Sequence, residues 1–238
     1  QADYFQTVKG GGHGDYRLIT LAPSSVQEMA DFVGLGFDLA FKYNNPAMIL
    51  ADGIIGQMME KVVLPPFTPR RTDDEIRKEC PWATLGKVGG RKRNVITSLE
   101  LDAAVMEENN LRFQAKYKKI EENEVRFQEI MCDDAEYLLV AFGSSARICQ
   151  KVVELAREQG IKLGLLRPIT LWPFPTNILK EYAEKVKGML VVELNAGQMV
   201  EDVRLAVNGK VKVEHFGRLG GIVFTPDEIL HALKEKLF

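Results

Sequence analysis

The stretch Gly10-Gly11-Gly12-His13-Gly14-Asp15-Tyr16-Arg17 sets an imidazole, a carboxylate and a guanidinium among four glycines, just ahead of the apolar run Leu18-Ile19-Thr20-Leu21. Glycines let a backbone approach a ligand or a neighbouring subunit closely, and the His and Asp can carry or exchange protons there. A plain surface loop would have the same composition. The segment is no nucleotide fingerprint, because no strand precedes it, no helix opens from it and Gly-Lys-Ser/Thr is absent.

Three other places could do chemistry. Gly143-Ser144-Ser145 follows an apolar run and opens a helical pattern, so its amides could hold an anion or its hydroxyls could simply cap the helix; the spacing of a nucleophile elbow is missing. Ala51-Asp52-Gly53 invites comparison with the Gly-Asp-Gly motif that binds the metal of thiamine diphosphate. It fails the comparison, since Ala51 replaces the first glycine and the next asparagine, Asn94, lies too far along. The remaining histidines, His215 and His231, read as packed strand and helix residues, and no metal triad can be assembled. Cys80, Cys132 and Cys149 are odd in number and form no CxxC pair, which speaks against a disulfide framework, a zinc site or an iron–sulfur cluster within this chain and fits a reducing cytoplasm.

Three regions of the chain must position these groups. Residues 1–66 predict a strand at 18–21, a helix over 25–43 capped by Ser24/Ser25 and buried on more than one side, and a buried strand over 46–51. A single strand-helix-strand unit cannot cover its own faces, so further layers are expected from elsewhere. Residues 67–134 carry 13 Lys/Arg and 14 Asp/Glu, dense enough to predict a charged linker with a long polar helix from 102 to about 131. Arg91-Lys92-Arg93 there fits a solvated loop better than an anion site. The proline-rich run Leu166 to Pro175 should not continue a strand. Residues 135–238 alternate short apolar strands with helices, predicting an α/β domain with a parallel, doubly wound sheet.

Composition excludes several classes of protein. The 238 residues carry a net charge of -2, which gives no polyanion signal, so no nucleic-acid partner is expected. No apolar run reaches the roughly 18 residues of a membrane helix, so no membrane partner is expected either. The chain opens on Gln1 with no signal core, and the expectation is that it begins within a longer protein.

Taken together, Gly10 to Asp15, Ala22-Pro23-Ser24-Ser25-Val26-Gln27-Glu28-Met29 and Asp52-Gly53-Ile54-Ile55-Gly56-Gln57-Met58-Met59 resemble the α subunit of 2-oxoacid:ferredoxin oxidoreductases, most closely the branched-chain, 2-oxoisovalerate type. Leu165 to Pro173, Glu193-Leu194-Asn195-Ala196-Gly197-Gln198 and Gly217 to Gly221 extend the resemblance over almost the whole chain. It implies that residues 1–66 are the C-terminal part of a pyrimidine-type thiamine-diphosphate-binding domain, 67–134 the linker and 135–238 a transketolase C-terminal-like domain.

The resemblance also implies a division of labour. Thiamine diphosphate and Mg would lie at the interface with a β subunit, with none bound to this chain alone. Iron–sulfur clusters would lie in other subunits. The cofactor attacks a 2-oxo acid, CO2 leaves, ferredoxin takes the electrons and coenzyme A the acyl group; β, γ and ferredoxin-like subunits are the expected partners. His13, Gly14 and Asp15 are then the candidates for a loop near substrate or cofactor, with Arg17 a secondary one, and no individual role carries over. The family's activating glutamate, its Tyr-Pro-Ile-Thr-Pro segment and its Gly-Pro-Ser-Thr-Gly loop do not occur here, so the chain alone is expected to be inactive. The rival readings are the same family acting on 2-oxoglutarate or pyruvate, a non-catalytic assembly module, and a nucleotide-binding domain using Gly143-Ser144-Ser145.

Overall fold

A computed structural model describes residues 1–84, 86–87, 90 and 92–238. Arg91 of the basic cluster lies outside the described residues. The chain folds as two compact units, one of Gln1–Val63 with Phe113–Phe238 and one of Leu64–Arg112.

In chain order the first unit opens with α1 (Tyr4–Val8), β1 (Ile19–Leu21), α2 (Val26–Tyr43), β2 (Ala47–Ile49) and α3 (Gly53–Gln57). The Ser25 hydroxyl caps α2 by accepting from the Glu28 N–H, as the sequence predicts. The second unit holds α4 (Asp73–Glu79), closed at its start by a Thr72/Glu75 capping box. Helix α5 (Ala103–Asn123) begins there and continues into the first unit. Val95, Ile96, Leu99 and Leu101 of the second unit are exposed, so that unit carries little core of its own.

The first unit then continues with β3 (Phe127–Ile130), β4 (Tyr137–Ala141), α6 (Gly143–Glu158), β5 (Leu163–Pro168), β6 (Thr170–Trp172), α7 (Thr176–Ala183), β7 (Gly188–Glu193), α8 (Met199–Val207), β8 (Lys212–Gly217) and α9 (Pro226–Leu237). Its larger sheet has the order β3-β5-β4-β7-β8. Strands β5, β4, β7 and β8 run parallel, with Leu139 opposite Leu165 on one side and Leu190 on the other. Because strand side chains alternate between faces, Leu138, Val140, Met189 and Val191 pack towards α7 and α8, while Leu139, Ala141, Leu190 and Val192 pack towards α6 and α9. Burial on both faces is why these strands read as continuous apolar runs.

Several expectations change. The polar helix stops at Asn123, not near 131, because the Glu124 carboxylate is buried against Lys42, Tyr43 and Arg126 and the chain then enters edge strand β3, antiparallel to β5. The proline-rich run does form strand. Pro168 ends β5 against that edge strand, and Thr170–Trp172 pairs antiparallel with β1 in a three-stranded sheet of order β2-β1-β6. Proline is tolerated at such strand ends because its missing N–H interrupts no interior ladder. Helix α2 is not buried all round: Phe37 is 64% and Phe41 54% exposed, on the face turned away from the core. A Cβ added at Gly34 or at the buried Gly36 would meet no atom within 4 Å, so neither marks a close approach of another backbone.

Candidate functional site

Residues 10–17 form an exposed loop between α1 and β1. Gly10 and Gly14 have φ of 96° and 104°, backbone that a side chain would strain, so glycine is required there. The loop folds back on itself where the Gly11 N–H donates to the Tyr16 hydroxyl at 2.7 Å. Its far end is tied down by Asn45, whose Nδ2 donates to the Arg17 carbonyl at 3.1 Å. The side chains of His13 and Asp15 are exposed and make no hydrogen bond or ion pair among the described residues, which leaves both free for an incoming group. Arg17 is half-buried and turns back on the Tyr16 carbonyl, so it does not join them.

A polar cluster that sequence reasoning missed holds the segment before this loop. Gln1 Oε1 accepts from the Ser145 hydroxyl at 3.0 Å and the Leu194 N–H at 2.9 Å, while its Nε2 donates to Asp52 Oδ2 at 2.8 Å and to the Phe142 carbonyl at 2.9 Å. Asp52 Oδ2 also accepts from the Ser144 N–H at 2.8 Å and the Ser144 hydroxyl at 2.9 Å. The start of α6 therefore does bind an anion, and that anion is the chain's own Asp52. This corrects both readings of Gly143-Ser144-Ser145: the serines do not cap their own helix, and the place a nucleotide phosphate would take is filled.

Beside it, the buried Glu193 carboxylate accepts from the Met199 N–H at 2.7 Å and the Val200 N–H at 3.0 Å, and so caps α8. Asn195 links this carboxylate to the Gln1 carbonyl. His215 lies against the same group, with Nε2 at 3.8 Å from Glu193 Oε1 and no hydrogen bond to that nitrogen among the described residues. Burial lowers its pKa below the ordinary imidazole value, and the Glu193 charge only partly offsets that. The only sequence signal for this cluster was the grouping of Glu193, Asn195, Gly197 and Gln198 at a strand end.

A second polar region is a cleft of about 630 Å³ lined by Ser24, Ser25, Glu28, Gln128, Arg147 and Arg167 among others. Arg167 is buried and pairs with Glu28 and Gln128, and Arg147 pairs with Glu60, so the cleft neutralises its own charges.

Residues 1–131 match the sequence family described as "Pyruvate flavodoxin/ferredoxin oxidoreductase, thiamine diP-bdg". The chain belongs to that family. Residues 135–229 match "Pyruvate:ferredoxin oxidoreductase core domain II". Among curated relatives, the chain is 47% identical over 235 residues to "Ketoisovalerate oxidoreductase subunit VorB" of Methanothermobacter marburgensis, covering 99% of this chain and 65% of that protein. It is 33% identical to "2-oxoglutarate synthase subunit KorA" of the same organism, covering 98% of this chain and 67% of that protein. The chain thus spans about two thirds of the length of these relatives. A solved 2-oxoglutarate:ferredoxin oxidoreductase from Magnetococcus marinus shares the fold, with a TM-score of 0.80 at 22% identity over 100% of this chain and 45% of that one. The doubly wound α/β architecture inferred from the sequence is that of this oxidoreductase family.

The matched family is described as thiamine-diphosphate-binding. Among the described residues no group of three His, Cys, Asp or Glu could hold a metal ion, and Asp52 is committed to α6. All three cysteines are free and buried, and among the described residues no helix is long and apolar enough to cross a membrane.

Proposed function

We propose that this chain is the α-type subunit of a thiamine-diphosphate-dependent 2-oxoacid:ferredoxin oxidoreductase that oxidatively decarboxylates a branched-chain 2-oxo acid, 2-oxoisovalerate, to its coenzyme A ester. The observation that carries this is the 47% identity to a ketoisovalerate oxidoreductase subunit along 99% of the chain, against 33% for the 2-oxoglutarate relative. In this reading residues 1–66 belong to the pyrimidine-type domain, 67–134 link it to a transketolase C-terminal-like domain at 135–238, and the complex works in the cytoplasm. The metal and diphosphate ligands come from a β subunit. Iron–sulfur clusters lie in other subunits, a γ and a ferredoxin-like one among them, and ferredoxin takes the electrons. His13, Gly14 and Asp15 face the substrate or cofactor. The free side chains of an imidazole and a carboxylate on a glycine-rich, exposed loop favour that role.

The test is turnover by the complete complex with 2-oxoisovalerate, 2-oxoglutarate and pyruvate, read as coenzyme-A-dependent reduction of a viologen. The proposal expects the branched-chain acid to give the highest kcat/KM and His13→Ala or Asp15→Ala to lower it by about tenfold or more. Preference for 2-oxoglutarate or pyruvate would overturn the substrate, and a complex with no thiamine-dependent activity would leave this chain an assembly module.

A further inference from the structure

Helix α1 has five residues, far too few to be stable without tertiary contacts, yet it leads directly into the loop that carries His13 and Asp15. Its position is set by two side chains at the start of α8. Asp202 Oδ2 accepts from the Tyr4 hydroxyl at 2.7 Å, and its Oδ1 pairs with Lys9 Nζ. Tyr4 is the first residue of α1 and Lys9 the residue that closes it, so one carboxylate grips both ends of the helix. Gln198 completes the grip: its Oε1 accepts from the Phe5 N–H at 2.8 Å, and its Nε2 donates to the Ala2 carbonyl at 2.7 Å.

The grip is anchored to the rigid part of the fold. Tyr4 is wholly buried and packs against Phe142 with ring centroids 5.7 Å apart. Burial, and next the Asp202 charge, raise its pKa well above the ordinary phenol value, so it stays a hydrogen-bond donor at any working pH. Helix α8 is itself fixed by Glu193 at the end of the buried strand β7. From Gly10 to Gly14 the glycines impose little conformational preference. The loop is held at its two ends, Lys9 on Asp202 and Arg17 on Asn45, and between them by the Gly11 N–H on the Tyr16 hydroxyl and by Gln114 Nε2 donating to the Asp15 carbonyl at 3.3 Å, so the α1 end is the anchor that depends on Asp202.

We propose that Asp202, assisted by Gln198, is a positioning residue that holds the His13–Asp15 loop in register through α1. It touches neither substrate nor cofactor itself. The inference rests on the proposed role of that loop only for its kinetic consequence.

The test uses the full-length subunit in its complex and has two readouts. A nitroxide label on a His13→Cys variant, read as the difference from the parent complex labelled in the same way, reports loop mobility without any need for turnover; the three cysteines of this chain are buried. Adding Asp202→Ala or Lys9→Met should shorten the label's correlation time about two-fold, while Asp202→Glu should leave it nearer the parent value. In the unlabelled enzyme Asp202→Ala should raise KM for the 2-oxo acid about five-fold with kcat little changed, and Asp202→Glu should recover part of the loss. Unchanged label mobility in both Asp202→Ala and Lys9→Met would overturn the positioning role, as would a general loss of thermal stability that Lys9→Met shares. A more mobile label with an unchanged KM would uphold the positioning role and overturn the proposed function of the loop.

Discussion

Asp52 caps helix α6 from 92 residues away, its Oδ2 taking the Ser144 N–H at 2.8 Å and the Ser144 hydroxyl at 2.9 Å. A carboxylate at a helix start satisfies an orphan donor and meets the positive end of the helix dipole. Replacing it by Ala should therefore cost about 1–2 kcal/mol, as loss of a good N-cap does. Calorimetry should show a fall in Tm of about 2–4 °C per kcal/mol for a domain of this size, with Asp52→Asn milder because its carbonyl oxygen can still accept. An unchanged Tm for Asp52→Ala would show that water serves as well.

Gly143 begins the same helix with φ of 57°, and a Cβ there would lie 2.5 Å from Asp52 Oδ2. Gly143→Ala should cost about 1–2 kcal/mol for the left-handed backbone alone, and more for displacing the cap. The part due to Asp52 should vanish when Asp52 is already Ala, leaving the crowding of Gln1 Nε2, which the Cβ would meet at 2.9 Å. Denaturant titration of the double mutant should give a loss smaller than the sum of the two single ones, and strict additivity would mean the two sites are independent.

Glu124 ends α5 by accepting from Lys42 Nζ at 2.7 Å, the Tyr43 hydroxyl at 2.6 Å and Arg126 at 2.9 Å. Burial works against its charge, but these hydrogen bonds outweigh burial and hold the pKa below the ordinary carboxylate value. A lowered folded pKa means stability that is present above about pH 4.3 and lost as pH falls through the folded value. Glu124→Gln should cost about 1–2 kcal/mol at neutral pH, since the cations it abandons reach solvent. The gap between parent and variant should close on acidification, as urea titrations at neutral pH and below pH 4 will show.

His215 loses stability on acidification too, but in a higher pH range and because burial favours its neutral form. Burial first, then the charges of Arg204 and Lys236, lower its pKa while Glu193 opposes them. The unfolded chain therefore binds the proton first, and the neutral imidazole's contribution is full above about pH 6.5 and lost as pH falls towards the folded value. His215→Gln should flatten the stability curve below pH 6.5 and leave its slope at pH 8 unchanged. A curve of unaltered shape would assign that slope to other groups.

The sequence by itself determined what depends on neighbours along the chain. Alternation of apolar runs with helical patterns placed β4, β7 and α9, the last opening at Thr225-Pro226-Asp227-Glu228 with an N-cap residue, a first-turn proline and early acids, because those signals act over two to four residues. The family resemblance named the loop at His13–Asp15, since a motif is a local pattern too. Tertiary structure alone decided that Glu124 breaks the charged helix, that the proline-rich run pairs with β1, and that Asp52 and Asp202 serve helices far from them in sequence. A carboxylate carries no local mark of which distant amide it will meet. That partner is fixed only when the parallel sheet closes and brings the starts of α1, α6 and α8 to one place, where burial makes every unpaired donor costly.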